Sequence, residues 1–285
     1  MKTYLECIPC FMDQALRAGR ISGMDDAGIK KLLDEVGGMI KDLPLDSSPP
    51  ATGDLIYGKI REISGINDPY KAIKKETIEE AANLYPKLKE IIENSDNRLL
   101  TAVRIAIAGN VIDFGVGHKF NIAEDVKAIL DQDFGILHFD EFVESLNKAK
   151  SILYLGDNSG ESVFDKLLIE ELDKPVTYVV RDVPVINDVT MKDAIASGLD
   201  PLADLISSGS SAPSIIPELC SREFLDYFEK AEMIISKGQG NYEGLSDSDR
   251  PVFFLLKAKC HVIANDLGVE KGDIVLASTK KSTLS

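Results

Sequence analysis

After Ser151 the sequence changes rhythm, and that change limits the fold more than any other feature. Short apolar runs at 152–155, 176–180, 205–207, 233–235, 252–256 and 274–276 now alternate with segments of helix length. Buried parallel strands read as continuous apolar runs, and each needs a long crossover to reach the next. The rhythm therefore predicts a mostly parallel, doubly wound sheet with helices on both faces.

Residues 1 to about 150 instead carry apolar positions at the helical period. Ile29, Leu32, Leu33, Val36, Met39 and Ile40 mark one amphipathic face, and Leu55, Ile56, Ile60 and Ile63 a second after the break at Ser47-Ser-Pro-Pro50. Asn67-Asp-Pro69 reads as a helix start, with Asp68 as N-cap and Pro69 in the first helical position. Further helices are expected at 97–115, 123–130 and 141–148. A chain of 285 residues exceeds the roughly 250 at which single cores stop growing. Two lobes follow: a helical one over 1–150 and an α/β one over 151–278, with a frayed polar tail at 279–285.

Charge narrows the partners. A net charge of −15, from 32 basic and 47 acidic residues, repels nucleic-acid backbones and anionic lipid, so neither is an expected partner. An acidic protein that handles an anionic substrate needs local neutralisation, and a divalent cation supplies it. No apolar run approaches the roughly 20 residues of a membrane span. Glu6, Pro9 and Asp13 interrupt any signal-peptide core. Four cysteines are too sparse for a disulfide scaffold, which points to the cytoplasm. The oligomeric state stays open.

Ligands of open parallel sheets bind beyond the carboxyl ends of the strands. There the sequence places Gly156-Asp-Asn-Ser-Gly-Glu161, Arg181-Asp-Val-Pro-Val-Ile-Asn-Asp188, Ser207-Ser-Gly-Ser-Ser211 and Ser236-Lys-Gly-Gln-Gly-Asn241. A hard cation such as Mg²⁺ takes oxygens, and Asp157, Asn158 and Asp188 offer them. Ser159-Gly160, opening a helix with Glu161 in its start, offers N–H groups to a phosphate oxygen. Lys237, ahead of the flexible Gly238-Gln-Gly240, offers a point charge to a phosphoryl group. Plainer readings stand beside these: Asp157 and Asp188 as helix caps, Lys237 as a solvated lysine.

Asn110 and Asp113 lie three apart on one helix face, where they either bond a neighbouring loop or point into the cleft between the lobes. Cys7 and Cys10 form a C-x-x-C pair. With Cys260 and His261 it forms a weak zinc signal, and its helical setting speaks against a catalytic thiol.

Cys7-Ile-Pro-Cys10, Ala108-Gly-Asn-Val-Ile-Asp-Phe-Gly115, Leu155-Gly-Asp-Asn-Ser-Gly-Glu161, Asn187-Asp188, Lys237-Gly-Gln-Gly-Asn-Tyr-Glu243 and Lys259-Cys260 occur in this order. Together they resemble the metal-dependent damage-control phosphatases, in particular their short prokaryotic branch with a cysteine pair, over residues 4 to 277. The resemblance implies a helical lobe on a three-layer α/β/α lobe. It also implies a divalent metal (Mg, Mn, Co or Ni) on Asp157, Asn158 and Asp188, and a phosphate-facing Lys237. Asn110 and Asp113 would line the cleft, and the substrates would be small phosphomonoesters, either sugar phosphates or damaged and surplus phosphometabolites. The Arg-Thr-x-Lys signature of the larger eukaryotic branch is absent; Ile235-Ser-Lys-Gly238 stands in its place.

The expected reaction is metal-assisted attack of water, with Asp157 as the other candidate nucleophile. Two rivals remain. The loop Tyr154-Leu-Gly-Asp-Asn-Ser-Gly160 echoes the first loop of adenosylmethionine-dependent methyltransferases, including carboxyl methyltransferases, but lacks G-x-G-x-x-G spacing. A non-catalytic metabolite-binding module would use the same edge.

Overall fold

Strands β1 (Phe134–Leu137), β2 (Ile152–Leu155), β3 (Val176–Val180), β4 (Asp204–Ser207), β5 (Met233–Lys237), β6 (Phe253–Lys257) and β7 (Ile274–Ser278) form one sheet in the order β1-β7-β6-β5-β2-β3-β4. This computed structural model describes residues 1–111, 127–128 and 130–279. Neighbouring strands run parallel except β6 and β7, which pair antiparallel. The expected mostly parallel, doubly wound sheet is present. Chain order reverses between β2 and β5, and there the crossover connections diverge to opposite sides and leave a crevice.

The sheet starts before Ser151, because β1 pairs with β7 at one edge. Its four residues contain Gly135 and alternate in exposure, so no continuous apolar run marks it in the sequence. β5 extends to Lys237, two residues beyond the apolar run.

Three helices come first: α1 (Cys7–Ile21), α2 (Asp26–Lys41) and α3 (Pro49–Ser64). Their ends follow local chemistry. Asp25 accepts a bond from the Gly28 N–H at 2.8 Å, and α3 begins on Pro49 and stops at Gly65 in the left-handed region. Phe11, Leu32, Val36, Ile56 and Ile60 make their shared core. Next come α4 (Lys71–Glu93), α5 (Arg98–Val111), α6 (Phe139–Lys148), α7 (Glu161–Leu172), α8 (Met191–Ala196), α9 (Arg222–Lys230), α10 (Gly238–Leu245) and α11 (His261–Leu267). Helix α4 begins just past the expected start. Asp68 does not cap it; its carboxylate pairs with the buried Lys74 ammonium at 3.0 Å.

Side chains alternate across a strand with period two, and this sorts the core into two layers. Ile152, Tyr154, Tyr178, Ile235 and Leu255 face α4, α5, α6 and α7. Leu153, Leu155, Val179, Ile234 and Phe254 face α9, α10 and α11. Helix α5 lies so close to α7 that a Cβ on Gly109 would meet Phe164 at 3.1 Å and Glu161 at 3.2 Å. That contact brings the α5 backbone against the start of α7.

Candidate active site

Gly156 ends β2 with no room for a side chain: a Cβ there would meet the Tyr178 hydroxyl at 2.5 Å. The missing side chain makes room for Tyr178 from the neighbouring strand. Beyond it, the loops after β2 and β3 are stitched together. Asn158 and Asp188 form an isolated antiparallel bridge. Ser159 N–H donates to the Asn187 carbonyl at 2.9 Å, and Val189 N–H to the Asp157 carbonyl at 2.8 Å. Asp157, Asn158 and Asp188 therefore line one cleft although thirty residues of sequence separate its two sides.

The helical region shapes the second loop. Val185 is buried in the α1–α2–α3 core and Ile186 packs against it. Ile186 has φ of 46°, a conformation that β-branched residues rarely adopt. Its packing holds that turn, and the chain emerges from it at Asn187 and Asp188.

Neither aspartate caps a helix. Helix α8 is capped by Thr190 and Asp193, whose Oδ2 accepts the Thr190 N–H at 3.0 Å. Helix α7 starts after Gly160 without a side-chain cap. Asp188 Oδ2 instead accepts from Arg181 Nε at 2.7 Å, and Arg181 Nη2 lies 3.8 Å from Asp157 Oδ1. Arg181 is 1% exposed; Nη2 also donates to Asn241 Oδ1 at 2.9 Å, and Nη1 has no hydrogen-bond partner among the described residues. Burial raises both acids. Asp157 is pushed up to about 8 by desolvation, then by the charges of Glu161 and Asp188, against the opposing pull of Arg181 and Lys259. Desolvation also raises Asp188, with Arg181 opposing it. A cation held between them would relieve this destabilisation.

The oxygen set fits a hard cation. Asn158 Nδ2 donates to Asp157 Oδ2 at 3.1 Å and to Glu161 Oε2 at 3.2 Å, which turns the carboxamide oxygen away from the carboxylates. Asn158 Oδ1 and Asp188 Oδ1 accept no hydrogen bond from any described residue. Two carboxylates and one carboxamide suit Mg²⁺, which keeps remaining positions for water and phosphate. Among the described residues no three His, Cys, Asp or Glu side chains are grouped to hold a metal ion, so a sulfur- or imidazole-rich centre is not formed there.

Four expected phosphate contacts, Lys237, Glu161, Ser159 and Gly160, are not among the residues lining the cleft. Lys237 is fully buried. Its ammonium donates to Glu161 Oε1 at 2.5 Å, Asp165 Oδ1 at 2.6 Å and the Ala106 carbonyl at 2.8 Å. Burial opposes its charge, but Asp165 and Glu161 outweigh that and raise the ammonium above the ordinary lysine value. Period two is the reason: Lys237 shares the face of Ile235, toward α5 and α7. Glu161 is likewise 0% exposed and lies behind the cleft wall. Ser159 is buried, with its N–H on Asn187 and its hydroxyl on the Asp188 carbonyl at 3.1 Å, so neither group is left for phosphate; Gly160 is buried beside it. Asn110 lies in the last turn of α5, its side chain outside the described residues, as is the whole of Asp113.

Sequence reasoning passed over Lys259 as a functional residue. It is exposed and lines the cleft with Gln14, Asn187, Gln239 and Glu243. Its backbone N–H is fixed by Gln239 Oε1 at 3.0 Å. Its place just past β6 was the available signal. Phe11, Pro49, Pro50 and Pro213 give the cleft, about 220 Å³, an apolar wall. Glu243, bonded by Gln239 Nε2 at 2.9 Å, is pushed up to about 7 by burial.

The cysteine pair is nearer this cleft than its distance in sequence suggests. Gln14 donates to Cys10 Sγ at 3.2 Å and Gln239 to Cys260 Sγ at 3.6 Å. Burial, with contributions from Glu243 and Cys260, raises the Cys7 and Cys10 thiols, opposite to what a nucleophilic thiolate needs.

Residues 3–275 match the family described as the damage-control phosphatase ARMT1-like domain. A damage-control phosphatase of Pyrococcus horikoshii is 36% identical, covering 98% of this chain and 99% of its own. One of Archaeoglobus fulgidus is also 36% identical, covering 96% and 98%. The crystal structure of a DUF89 family protein from Pyrococcus horikoshii superposes with a TM-score of 0.89 at 34% identity, covering 98% of this chain and all of the other.

Proposed function

The chain belongs to the damage-control phosphatase ARMT1-like family, and from that premise we propose that its cleft hydrolyses small phosphomonoesters. In this reading Asp157, Asn158 and Asp188 hold a divalent cation (Mg²⁺, Mn²⁺, Co²⁺ or Ni²⁺) and Lys259 faces the phosphate. The observation that carries it is the meeting of two carboxylates, one carboxamide and one lysine at a single cleft on the carboxyl edge of the sheet. Bound there, the cation supplies positive charge against the phosphoryl oxygens as the leaving alkoxide develops.

The protein's own groups do the rest. Arg181 holds the Asp188 carboxylate in a fixed orientation through its 2.7 Å bond. The Lys259 ammonium attracts and orients a phosphate oxygen. Glu243, protonated up to about pH 7, holds a proton at the cleft for the departing alkoxide, and water is the nucleophile. The volume of about 220 Å³ is below the usual range for drug-sized ligands, about 300–1,000 Å³, which favours sugar phosphates and comparable damaged or surplus metabolites. Among the described residues no helix is long and apolar enough to cross a membrane. Four free cysteines fit a reducing compartment such as the cytoplasm.

Hydrolysis of an aryl phosphate should require a divalent ion, stop on exhaustive chelation and return on re-addition; full activity after chelation refutes the reading. Lys259→Ala should weaken inhibition by inorganic phosphate about tenfold, the scale of one charged hydrogen bond, without changing Mn²⁺ affinity or melting temperature. With alkyl phosphates, whose leaving groups need a proton, wild-type turnover should fall as pH rises above about 7 as Glu243 ionises. Glu243→Gln should remove that limb and spare aryl phosphates.

A further inference from the structure

A carboxamide in a cation site has a right and a wrong way round. Its oxygen coordinates, whereas its amide hydrogens repel, and the two orientations differ by a half-turn about the last side-chain bond. Asn158 is held with Nδ2 toward two acceptors, Asp157 Oδ2 at 3.1 Å and Glu161 Oε2 at 3.2 Å. The first is a weak guarantor: when Asp157 serves a cation, its charge is drawn there. The second stands apart from the cleft and is anchored from below. Glu161 Oε1 accepts from Lys237 Nζ at 2.5 Å; Lys237 also donates to Asp165 Oδ1 at 2.6 Å and the Ala106 carbonyl of α5 at 2.8 Å. Asp165 is fixed in turn by the Tyr154 and Tyr178 hydroxyls at 2.7 and 2.8 Å. Glu161, Asp165, Lys237, Tyr154 and Tyr178 are all 0% exposed. A fully buried charged network costs desolvation energy, and replacing such networks by apolar groups is often neutral or stabilising. Its surface-facing end is the Asn158 amide.

We propose that Glu161 is the positioning residue that turns the Asn158 carboxamide oxygen toward the cation, with Lys237 and Asp165 holding Glu161 in place. This rests on the assignment of Asp157, Asn158 and Asp188 as cation ligands. Lys237 then serves the reaction from beneath the site, through Glu161 and Asn158, without touching phosphate.

Mn²⁺ affinity, read from free Mn²⁺ by electron paramagnetic resonance, tests this without turnover. Glu161→Gln in the wild-type background should weaken Mn²⁺ binding at least tenfold, the usual effect of removing an outer partner of a ligand. A carboxylate at position 158 presents oxygen whichever way it turns, so Glu161→Gln should not weaken binding in Asn158→Asp. Nor should it in Asn158→Ala, which has no carboxamide to orient and covers failure of the aspartate variant to fold. Should Glu161→Gln itself not fold, Glu161→Asp retains the charge for Lys237 but withdraws from Asn158, and the same pattern is expected. Equal weakening in all backgrounds, or none in the wild type, overturns the role of Glu161. Wild-type protein that binds no Mn²⁺, or binds it undiminished in Asp157→Asn, overturns the cation site and this inference with it. Binding lost in Asp157→Asn but additive effects at 161 and 158 overturns this inference alone.

Discussion

Asp157→Asn and Asp188→Asn should each lower turnover of an aryl phosphate by about 10²-fold or more at fixed Mn²⁺, the scale of losing one strong electrostatic contact in an active site. Both keep the side-chain shape and remove one charge from the oxygen set. Neither change should cost the metal-free protein much stability. Burial and the charges of Glu161 and Asp188 oppose a charge on Asp157, so metal-free Asp157→Asn should melt no lower than wild type. Asp188 is the ion-pair partner of Arg181 at 2.7 Å, and the Arg181 side chain is 0% exposed. Neutralising Asp188 removes that attraction but also the larger desolvation that raises its own carboxyl, so metal-free Asp188→Asn should change stability little. Melting temperature, urea midpoint and kcat on the same preparations check the pair. Wild-type kcat in both variants means that the cleft is not the site of hydrolysis.

Lys237→Met should be the more damaging change to the fold. The substitution preserves length and approximate volume but leaves Glu161 and Asp165, both fully buried, without their shared cation. Breaking a buried ion pair from one side costs about 3–5 kcal/mol, a large share of the total stability of a typical domain, about 5–15 kcal/mol. Urea denaturation of the metal-free protein measures it directly. A phosphate-contacting lysine would behave oppositely, with unchanged stability and weakened phosphate inhibition. That outcome would place the ammonium in the cleft and contradict the geometry in which it donates to Ala106, Glu161 and Asp165.

The two lysines show where sequence reasoning stops. Lys237 ends a strand, precedes a glycine turn and stands beside the expected phosphate site, every mark of a ligand-facing cation. Lys259 follows a later strand with nothing around it to distinguish it. Alternation was legible, since Lys237 must share a face with Ile235. Which face is covered at its carboxyl end was not. Gly109 admits α7 against α5, so that face carries the Ala106 carbonyl and two acids from α7. On the other side of the crevice, the turn after β6 leaves Lys259 open to the cleft.

The meeting of Asp157, Asn158 and Asp188 at one cleft was legible because composition and position agree: oxygen-bearing residues follow consecutive strands, and parallel sheets gather such loops at one edge. Their alternative as helix caps was equally local, and only the structure removed it, through Thr190 and Asp193 at α8 and the uncapped start of α7.

The sequence alone determined what short-range chemistry determines. Apolar runs with helix-length spacers specified the parallel sheet, helical periodicity specified α2 and α3, and the shared direction of parallel strands brought their carboxyl-end loops to one edge. The tertiary structure decided which polar side chains end in water, in the cleft or in the core. It set Val185 into the α1–α2–α3 core and so forced Ile186 through its strained turn to Asp188. It also closed α5 over Lys237 and left Lys259 outside. The physical reason is that an ionisable group's role depends on its desolvation and on the charges opposite it, and both are properties of packing between segments far apart in the chain.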